Sequence, residues 1–276
     1  MITVGTLVPY LAVALGAGAV AVLASRRRDM IQRWCAWAVG IPLVTGAFWL
    51  GAPGAAAVGA AAACIAALEF GATLRAPWPD RAALVLALLG LIGTAWLSPG
   101  HVLRAAGAGV LLVAAVPVLT GDATGGLRRA ANGVLGLIWL APLAATARLG
   151  AVTLLLLAAV SIGDIAAYVA GRRFGGPSLS PLSPAKRWSG TLAGGLAAVG
   201  TLAVFGVFTR DLPTSLIIGL VVAVTVGAPL GDLFESMIKR GAGVKDTASW
   251  IPGSGGLLDR IDSLLLALAI VLLLSW

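Results

Sequence analysis

The sequence predicts an all-α, polytopic integral membrane protein with about nine or ten transmembrane helices. Of its 276 residues, 59% are hydrophobic and only 11% are charged, whereas a soluble domain carries roughly 25% charged residues. The mean hydropathy of +1.01 also excludes an intrinsically disordered chain. We therefore expect one membrane-embedded body, in which N-terminal helices (1–150) and C-terminal helices (151–276) are not independent domains.

Ten apolar runs approach the length of roughly 20 residues that crosses a hydrocarbon core about 30 Å thick. The predicted spans are 3–24, 33–50, 52–70, 81–98, 101–120, 131–147, 150–171, 190–209, 214–236 and 262–275. A turn signal over 50–54 separates the second and third spans. The last span is short, so nine helices is the alternative. Gly194, Gly195 and the glycines and alanines of 54–63 predict close contacts between helices.

Basic residues fall on alternate connections between the spans, and this bias indicates the orientation. Arginines at 26–28 follow the first span and no basic residue precedes it, so we expect an uncleaved first helix with its N-terminus outside. In that orientation sixteen of the nineteen basic residues lie at the inner face, and the exceptions are Arg104, Arg148 and Arg210. We expect a multi-pass protein of the inner (cytoplasmic) cell membrane, with no nucleic-acid partner for its net charge of +8.

Ionisable side chains in membrane helices are costly, so each one is a candidate functional group. Asp164 lies about two turns before the inner end of its predicted helix, and Tyr168 shares its face at i+4. Lys186 and Arg187 follow in a loop with two prolines and can bind phosphate. The structural alternatives are an Asp–Arg pair that anchors the helix end and an ordinary basic membrane loop.

A third group of charges ends the ninth predicted span. Asp232, Glu235 or Ser236, and Lys239 fall on one helical stripe because they are three or four residues apart. A mutually neutralising surface stripe is the alternative, but the group follows an apolar run that does not predict solvent exposure. Cys35 and Cys64 lie in apolar runs, so we expect no disulfide framework.

The fourth group is the most informative. Lys245-Asp246 is followed by a glycine-rich segment at 252–256, whose backbone N–H groups can approach an anion closely. Asp259 and Asp262 come next, three residues apart at the start of a helix. Paired carboxylates beside a glycine-rich loop suit Mg²⁺ and a triphosphate. The preference of acids for a helix N-terminus accounts for Asp259 alone.

From 236 to 262 the sequence resembles the signature of the phosphatidate cytidylyltransferases (CDP-diacylglycerol synthases). That signature reads Ser-x-apolar-Lys-Arg, four residues, Lys-Asp, Pro or Gly, His-Gly-Gly and Asp-Arg-x-Asp. The matching positions are Ser236, Ile238, Lys239, Arg240, Lys245, Asp246, Ala248, Ile251, Pro252, Gly255, Gly256, Leu257, Asp259, Arg260, Ile261 and Asp262. The region 164–190 resembles the family's Asp-x-x-Ala-Tyr, Gly-Arg-x-Phe-Gly and Ser-Pro-x-Lys elements. The similarity covers roughly 160–263, and the first 150 residues match only as generic helices.

The resemblance implies a nucleotidyltransferase of phospholipid biosynthesis. It would join CTP to phosphatidic acid of the cytoplasmic leaflet, giving CDP-diacylglycerol and pyrophosphate. The attacking lipid phosphate is already ionised near neutral pH, so no strong general base is required. Mg²⁺ and basic side chains would offset the repulsion between the two phosphates. An additional monovalent cation stays open, and the resemblance favours a homodimer embedded in membrane lipids.

The resemblance also implies roles for individual residues. The catalytic candidates are Asp259, Asp246, Lys239, Lys245 and Arg260. The substrate-binding candidates are Asp164, Tyr168, Lys186, Ser236, Arg240, Ser254, Gly255 and Gly256. The candidate metal ligands are Asp232, Asp246, Asp259 and Asp262.

Two positions depart from the family pattern. Ser254 stands where the family has His, and Ser189 stands where Glu is expected. A serine can donate a hydrogen bond to phosphate but carries no positive charge. A diverged member with another lipid-phosphate acceptor, or with impaired activity, is therefore one alternative. A membrane transporter is the other, although transporters usually place coupling groups near mid-membrane in repeated halves, whereas these acids gather at one face.

Overall fold

The computed structural model describes residues 2–25, 28–208, 212–248 and 255–275. The helices are α1 (Val4–Ser25), α2 (Arg28–Trp49), α3 (Ala52–Thr73), α4 (Trp78–Leu97), α5 (Val102–Leu119), α6 (Gly126–Leu140), α7 (Thr146–Leu149), α8 (Ala151–Phe174), α9 (Trp188–Val204), α10 (Thr214–Val222), α11 (Ala228–Gly241) and α12 (Leu258–Leu274). Short strands β1 (Ser178–Ser180) and β2 (Ser183–Arg187) pair antiparallel. The predicted all-α class is confirmed, and this small ribbon is an addition that the sequence analysis did not anticipate.

Within these described ranges a helix lies at every one of the ten predicted spans. Six helical segments are long and apolar enough to cross a membrane: Ala52–Thr73, Trp78–Leu97, Pro99–Leu119, Gly126–Leu149, Ala151–Phe174 and Thr214–Gly241. Shorter apolar helical stretches lie at Val4–Val20, Trp37–Trp49 and Trp188–Val204. The chain is therefore a polytopic membrane protein.

Two predicted spans are not uniform α-helices, and a proline marks each irregularity. Pro142 lies in a 3₁₀ turn, Ala141–Ala145, that separates α6 from α7. Pro229 lies in the first turn of α11, directly after a π-helical turn at Ala223–Gly227. Proline has no N–H to donate and its ring crowds the carbonyl four residues earlier, so the backbone before and around it leaves the regular i→i−4 pattern.

The chain divides into two compact units. The N-terminal unit comprises Leu11–Gly150 and Asp246–Arg260, and the C-terminal unit comprises Met1–Tyr10, Ala151–Lys245 and Ile261–Trp276. The family-like signature of 236–262 is thus divided, because its middle part belongs to the N-terminal unit and its two ends belong to the C-terminal unit.

Small residues on α3 form the centre of the N-terminal unit. Ala55, Ala63 and Ala66 are fully buried. A Cβ added to Gly59 would lie 2.3 Å from Oγ1 of Thr146, and that hydroxyl donates a hydrogen bond of 3.1 Å to the carbonyl of Ala55. The predicted close contact along 54–63 is confirmed.

An ionic network ties two connections of the N-terminal unit together. The guanidinium of Arg129 donates to both carboxylate oxygens of Asp80, at 2.7 and 2.8 Å, and to Asp122 at 3.0 Å. Asp122 also accepts the N–H of Gly125 at 2.7 Å, and this bond, followed by Arg129, lowers the pKa of Asp122. The α3–α4 and α5–α6 connections therefore lie at one face of this unit, as the predicted alternation requires.

Glycines form the seam between α8 and α9 in the C-terminal unit. A Cβ on Gly194 would lie 2.8 Å from the carbonyl oxygen of Gly163, and one on Gly190 would lie 2.5 Å from that of Ala167. Side chains at these positions would force the helices apart. The close contact predicted at Gly194 is confirmed.

Candidate active site

Lys186 is the centre of a charged cluster in the C-terminal unit. Its ammonium group forms an ion pair with Asp232, whose other carboxylate oxygen accepts a hydrogen bond of 3.5 Å from Ser236. Burial lowers the pKa of Lys186, and the nearby carboxylates of Asp262 and Asp164 oppose that shift. The structure thus brings together five residues that the sequence analysis had placed in four separate groups.

The ribbon between α8 and α9 positions Lys186. Ser178 pairs with Arg187, and Ser180 pairs with Ser183, so β1 supports the strand on which Lys186 lies. The guanidinium of Arg187 donates to the carbonyl of Gly176 at 2.9 Å. Arg187 is therefore occupied in closing the ribbon.

Ser189, one of the two departures from the family pattern, has a structural partner. Its hydroxyl donates a hydrogen bond of 2.5 Å to the carbonyl of Gly175, just beyond the end of α8. This bond ties the start of α9 to the end of α8. Ser254, the other departure, lies outside the described residues.

Asp232 lies on α11 and Asp262 lies on α12, and the backbones of these two helices are in contact. A Cβ on Gly231 would lie only 2.5 Å from the carbonyl oxygen of Asp262, so the glycine beside Asp232 allows the two helices to touch. Asp262 is buried, and its carboxylate accepts the N–H of Ser263 at 2.6 Å.

Glu235 belongs to this cluster, although the sequence analysis did not assign it a role. Its side chain is fully buried, and its charge acts on Asp262. The sequence analysis had placed it on the same helical stripe as Asp232 because the two residues are three apart. Lys239, one turn further along α11, is buried as well and acts on both Lys186 and Asp262.

The cluster carries an excess of negative charge. Four carboxylates face two ammonium groups, which leaves a formal charge of two minus. The negative members are Asp164, Asp232, Glu235 and Asp262, and the positive ones are Lys186 and Lys239. Glu235, Lys239 and Asp262 are the buried members. Because buried charges are tolerated only when they are paired or bind ions, the excess negative charge favours a cation in the cluster.

The donor set of the cluster fits a metal that takes part of its coordination from a substrate. Among the described residues no three acidic, histidine or cysteine side chains converge on one point. Mg²⁺, however, is commonly held by one or two carboxylates together with substrate phosphates. Asp232 and Asp262, on touching helices, offer such a pair of oxygen ligands.

The exposed face of α8 carries Asp164 and Tyr168, one turn apart. Both side chains are exposed. The guanidinium of Arg172, one turn further on, donates to the hydroxyl of Tyr168 at 2.7 Å. The prediction that Asp164 and Tyr168 lie on one face of the helix is confirmed. Arg172 lies on the same face.

The N-terminal unit holds the glycine-rich part of the signature, and Asp259 braces it. One oxygen of Asp259 accepts the N–H and the hydroxyl of Thr247, at 2.9 and 2.8 Å, and the N–H of Gly256 at 3.0 Å. Gly255 adopts φ +76°, which a residue with a side chain rarely adopts. Asp259, predicted as a metal ligand, thus has a bracing role within the loop.

Glu69 is a further participant in this loop that the sequence analysis missed. Its carboxylate accepts the N–H groups of Leu257 and Leu258, at 2.9 and 2.7 Å, and its side chain is buried. A lone acid inside the predicted span 52–70 was the signal that could have identified it.

The remaining predicted residues lie at exposed positions. Arg240, Lys245, Asp246 and Arg260 are exposed. Arg240 donates to the carbonyl of Val244 at 3.1 Å. Asp246 and Asp259 belong to the N-terminal unit, while Asp232 and Asp262 belong to the C-terminal unit, so the four predicted metal ligands are divided two and two.

Three phosphatidate cytidylyltransferases are similar to part of this chain. Phosphatidate cytidylyltransferase 4, chloroplastic, of Arabidopsis thaliana is 43% identical over 115 residues, which cover 40% of this chain and 29% of that protein. The phosphatidate cytidylyltransferase of Brucella suis is 42% identical over 120 residues, 43% of this chain and 44% of that protein. The phosphatidate cytidylyltransferase of Haemophilus influenzae is 45% identical over 107 residues, 37% of each chain.

These alignments span less than half the length of each of the three relatives. A comparison with a family profile covers more of the chain. The sequence profile of the cytidylyltransferase family matches residues 31–276. Since that match covers most of the sequence, the chain belongs to the cytidylyltransferase family.

Proposed function

We propose that the protein transfers a cytidylyl group from CTP to phosphatidic acid, giving CDP-diacylglycerol and pyrophosphate. The observation that carries this proposal is the cluster of Lys186, Lys239, Asp232 and Asp262 in a polytopic membrane protein of the cytidylyltransferase family. The relatives named above are phosphatidate cytidylyltransferases, which favours phosphatidic acid as the acceptor.

The reaction is a displacement at phosphorus. An oxygen of the lipid phosphate forms a bond to the α-phosphorus of CTP, while the bond from that phosphorus to the bridging oxygen breaks and pyrophosphate leaves with the electron pair. No proton has to be removed from the nucleophile, because the lipid phosphate is already ionised. A cluster with no histidine among its members is chemically sufficient for this step.

The barrier to this reaction is electrostatic, because an anion has to approach a polyanion. Lys186 and Lys239 supply positive charge at a partly buried position, where it acts more strongly than in water. When bound, Mg²⁺ would neutralise phosphate charge on the nucleotide. Asp232 and Asp262 would hold it, and the carboxylate of Asp232 also holds Lys186 in place through their ion pair.

The proposal includes an orientation. Lys186 lies on a connection that the distribution of basic residues predicts to be cytoplasmic, and its partner Asp232 lies near the end of the ninth predicted span that leads to the same face. In that orientation CTP would arrive from the cytosol, and phosphatidic acid would come from the cytoplasmic leaflet of the cell membrane. Cysteine labelling from each side of right-side-out vesicles, with a cysteine introduced at exposed Arg173, tests this orientation independently of activity.

The direct test uses purified protein in detergent–lipid micelles with α-labelled and γ-labelled CTP. The proposal predicts that the α label enters CDP-diacylglycerol and the γ label enters pyrophosphate, only when phosphatidic acid is present. EDTA should abolish both products and excess Mg²⁺ should restore them. A panel of other lipid phosphates covers the alternative acceptor. Lipid labelling without phosphatidic acid, or transfer that continues in EDTA, would contradict the proposal.

A further inference from the structure

We propose that Glu69 is a positioning residue of the signature loop, and that Gly256 is a glycine because the Glu69 carboxylate occupies the space beside it. The proposal rests on one contact within the N-terminal unit, between α3 and the residues that open α12. It deepens the proposed function, because the signature loop belongs to the proposed transferase. No role for Glu69 follows from the signature itself, which begins at Ser236.

The contact is a pair of hydrogen bonds made by one buried carboxylate. Oε1 of Glu69 accepts the N–H of Leu257 at 2.9 Å, and Oε2 accepts the N–H of Leu258 at 2.7 Å. The first N–H groups of a helix have no partner within the helix, and a negative charge is favoured beside them. Glu69, 188 residues away from Leu257 along the chain, supplies that charge from inside the protein.

The second observation is steric. A Cβ on Gly256 would lie 2.6 Å from Oε2 of Glu69 and 2.7 Å from both Cδ and Oε1. All three atoms belong to the same buried carboxylate, which is fixed by its two hydrogen bonds. Gly256 has no positive φ, so the backbone itself would accept alanine. The side chain of Glu69 is therefore the reason that the structure offers for a glycine at this position.

Three consecutive backbone N–H groups where the glycine-rich segment meets α12 are held by carboxylates. The N–H of Gly256 donates to Asp259, and those of Leu257 and Leu258 donate to Glu69. Of these three, only the N–H of Gly256 belongs to the segment 252–256 that the sequence analysis expected to approach an anion. In this structure the carboxylates of Glu69 and Asp259 hold all three, and they thereby fix where α12 begins.

A double-mutant cycle tests the steric part of the proposal. The four proteins are the wild type, Glu69→Ala, Gly256→Ala and the double variant. If Glu69 is what excludes a side chain, Gly256→Ala lowers the unfolding temperature in the wild-type background and has little effect in the Glu69→Ala background. If the glycine serves a ligand or another neighbour, Gly256→Ala is equally harmful to stability or to transfer in both backgrounds, and the proposal is overturned.

Glu69→Gln tests the hydrogen bonds without creating a cavity. The amide has one acceptor oxygen and directs an NH₂ group toward one of the two N–H groups, so hydrogen exchange at Leu257 and Leu258 should rise about tenfold or more. Asp80→Asn, which loses a buried carboxylate elsewhere in the same unit, is the matched control and should leave this local exchange unchanged. Unchanged exchange in Glu69→Gln contradicts the proposal.

The transfer assay distinguishes positioning from ligand contact. A positioning role predicts that Glu69→Gln lowers kcat while KM for CTP stays within about twofold, and that Glu69→Asp, which keeps both oxygens, recovers part of the rate. A large rise in KM with unchanged kcat would assign Glu69 to substrate binding and overturn the proposal. If the wild type transfers no cytidylyl group, the proposed function fails, but the exchange and unfolding results still decide the role of Glu69.

Discussion

The seam between α8 and α9 gives a prediction whose magnitude follows from the structure. In Gly190→Ala the new Cβ would meet the carbonyl oxygen of Ala167 at 2.5 Å and the Cα of Gly171 at 3.3 Å. The first distance is about 1 Å shorter than the usual separation of non-bonded atoms. That oxygen belongs to the backbone of α8, so it cannot rotate away as a side chain can, and the helices have to separate.

Two effects of opposite sign compete in Gly190→Ala. Overpacking of this kind costs about 1–3 kcal/mol, and a clash with backbone lies at the upper end. Alanine gains about 1 kcal/mol over glycine in helix propensity. We expect a net destabilisation of about 1–2 kcal/mol. The transfer rate should fall too, because α9 begins two residues after Lys186 and its displacement moves that ammonium group away from Asp232.

Gly200→Ala is the matched control, because Gly200 is on the same helix with nothing within 4 Å of its Cβ position. The same substitution there should leave stability unchanged or raise it slightly. Thermal unfolding in detergent, followed by tryptophan fluorescence, compares the two variants with the wild type. Equal stability of Gly190→Ala and Gly200→Ala would contradict a steric limit at the α8–α9 seam.

Three other predictions concern charged groups. Lys186→Met should lower the transfer rate by about 10²-fold, whereas Arg173→Gln, at an exposed position beyond the cluster, should leave it within about twofold; initial rates at saturating CTP decide this. Asp80→Asn removes the bidentate partner of Arg129, which keeps only Asp122, and should lower the unfolding temperature measured at neutral pH. The pKa of Asp122 lies below its ordinary value of 3.8, so its stabilising contribution is complete above that value and is lost as the pH falls through the lowered pKa. Unfolding temperatures of Asp122→Asn should therefore depend less on pH below about pH 4 than those of the wild type; identical profiles would contradict this.

Much of the architecture was predictable because the membrane imposes a length on each apolar run. The turn at 50–54 is an example. Gly51 has φ +76° and Pro53 lies in the first turn of α3, as the residue types indicate. The breaks at Pro142 and before Pro229 were not predicted, although both prolines are visible in the sequence. A membrane helix can accommodate a proline by forming a local 3₁₀ or π turn. The hydropathy of the sequence does not indicate where such turns form.

The candidate site was only partly predictable. Motif spacing identified Lys186, Asp232 and Asp262, because short-range patterns report which residues share a helix face. It could not report that Lys186 pairs with Asp232, since 46 residues separate them. The motif also made Asp259 a candidate metal ligand, whereas the structure places one of its oxygens on three donors of the loop. Substitution of Asp259 therefore disturbs the loop as well as any metal, and Asp262 is the cleaner probe.

Glu69 is the residue whose role was least predictable from the sequence. A single acid in an alanine-rich span carries no pattern with its neighbours, and its partners lie 188 and 189 residues away. Only the packing of α3 against the start of α12 reveals what the carboxylate does. The general rule that an ionisable residue in a membrane helix has a purpose identifies such a residue but not its role.

The role of the charged cluster is tested most directly by the rate at which Asp262→Asn transfers cytidylyl groups to phosphatidic acid. This rate is compared with that of the wild type, after thermal unfolding has shown that the two proteins unfold at the same temperature. The asparagine keeps the shape of the side chain and removes the charge from the cluster of Lys186, Asp232 and Lys239. We expect a rate lower by about 10²-fold or more at saturating CTP and Mg²⁺. A folded Asp262→Asn protein that transfers at the wild-type rate would contradict the claim that this cluster carries the reaction.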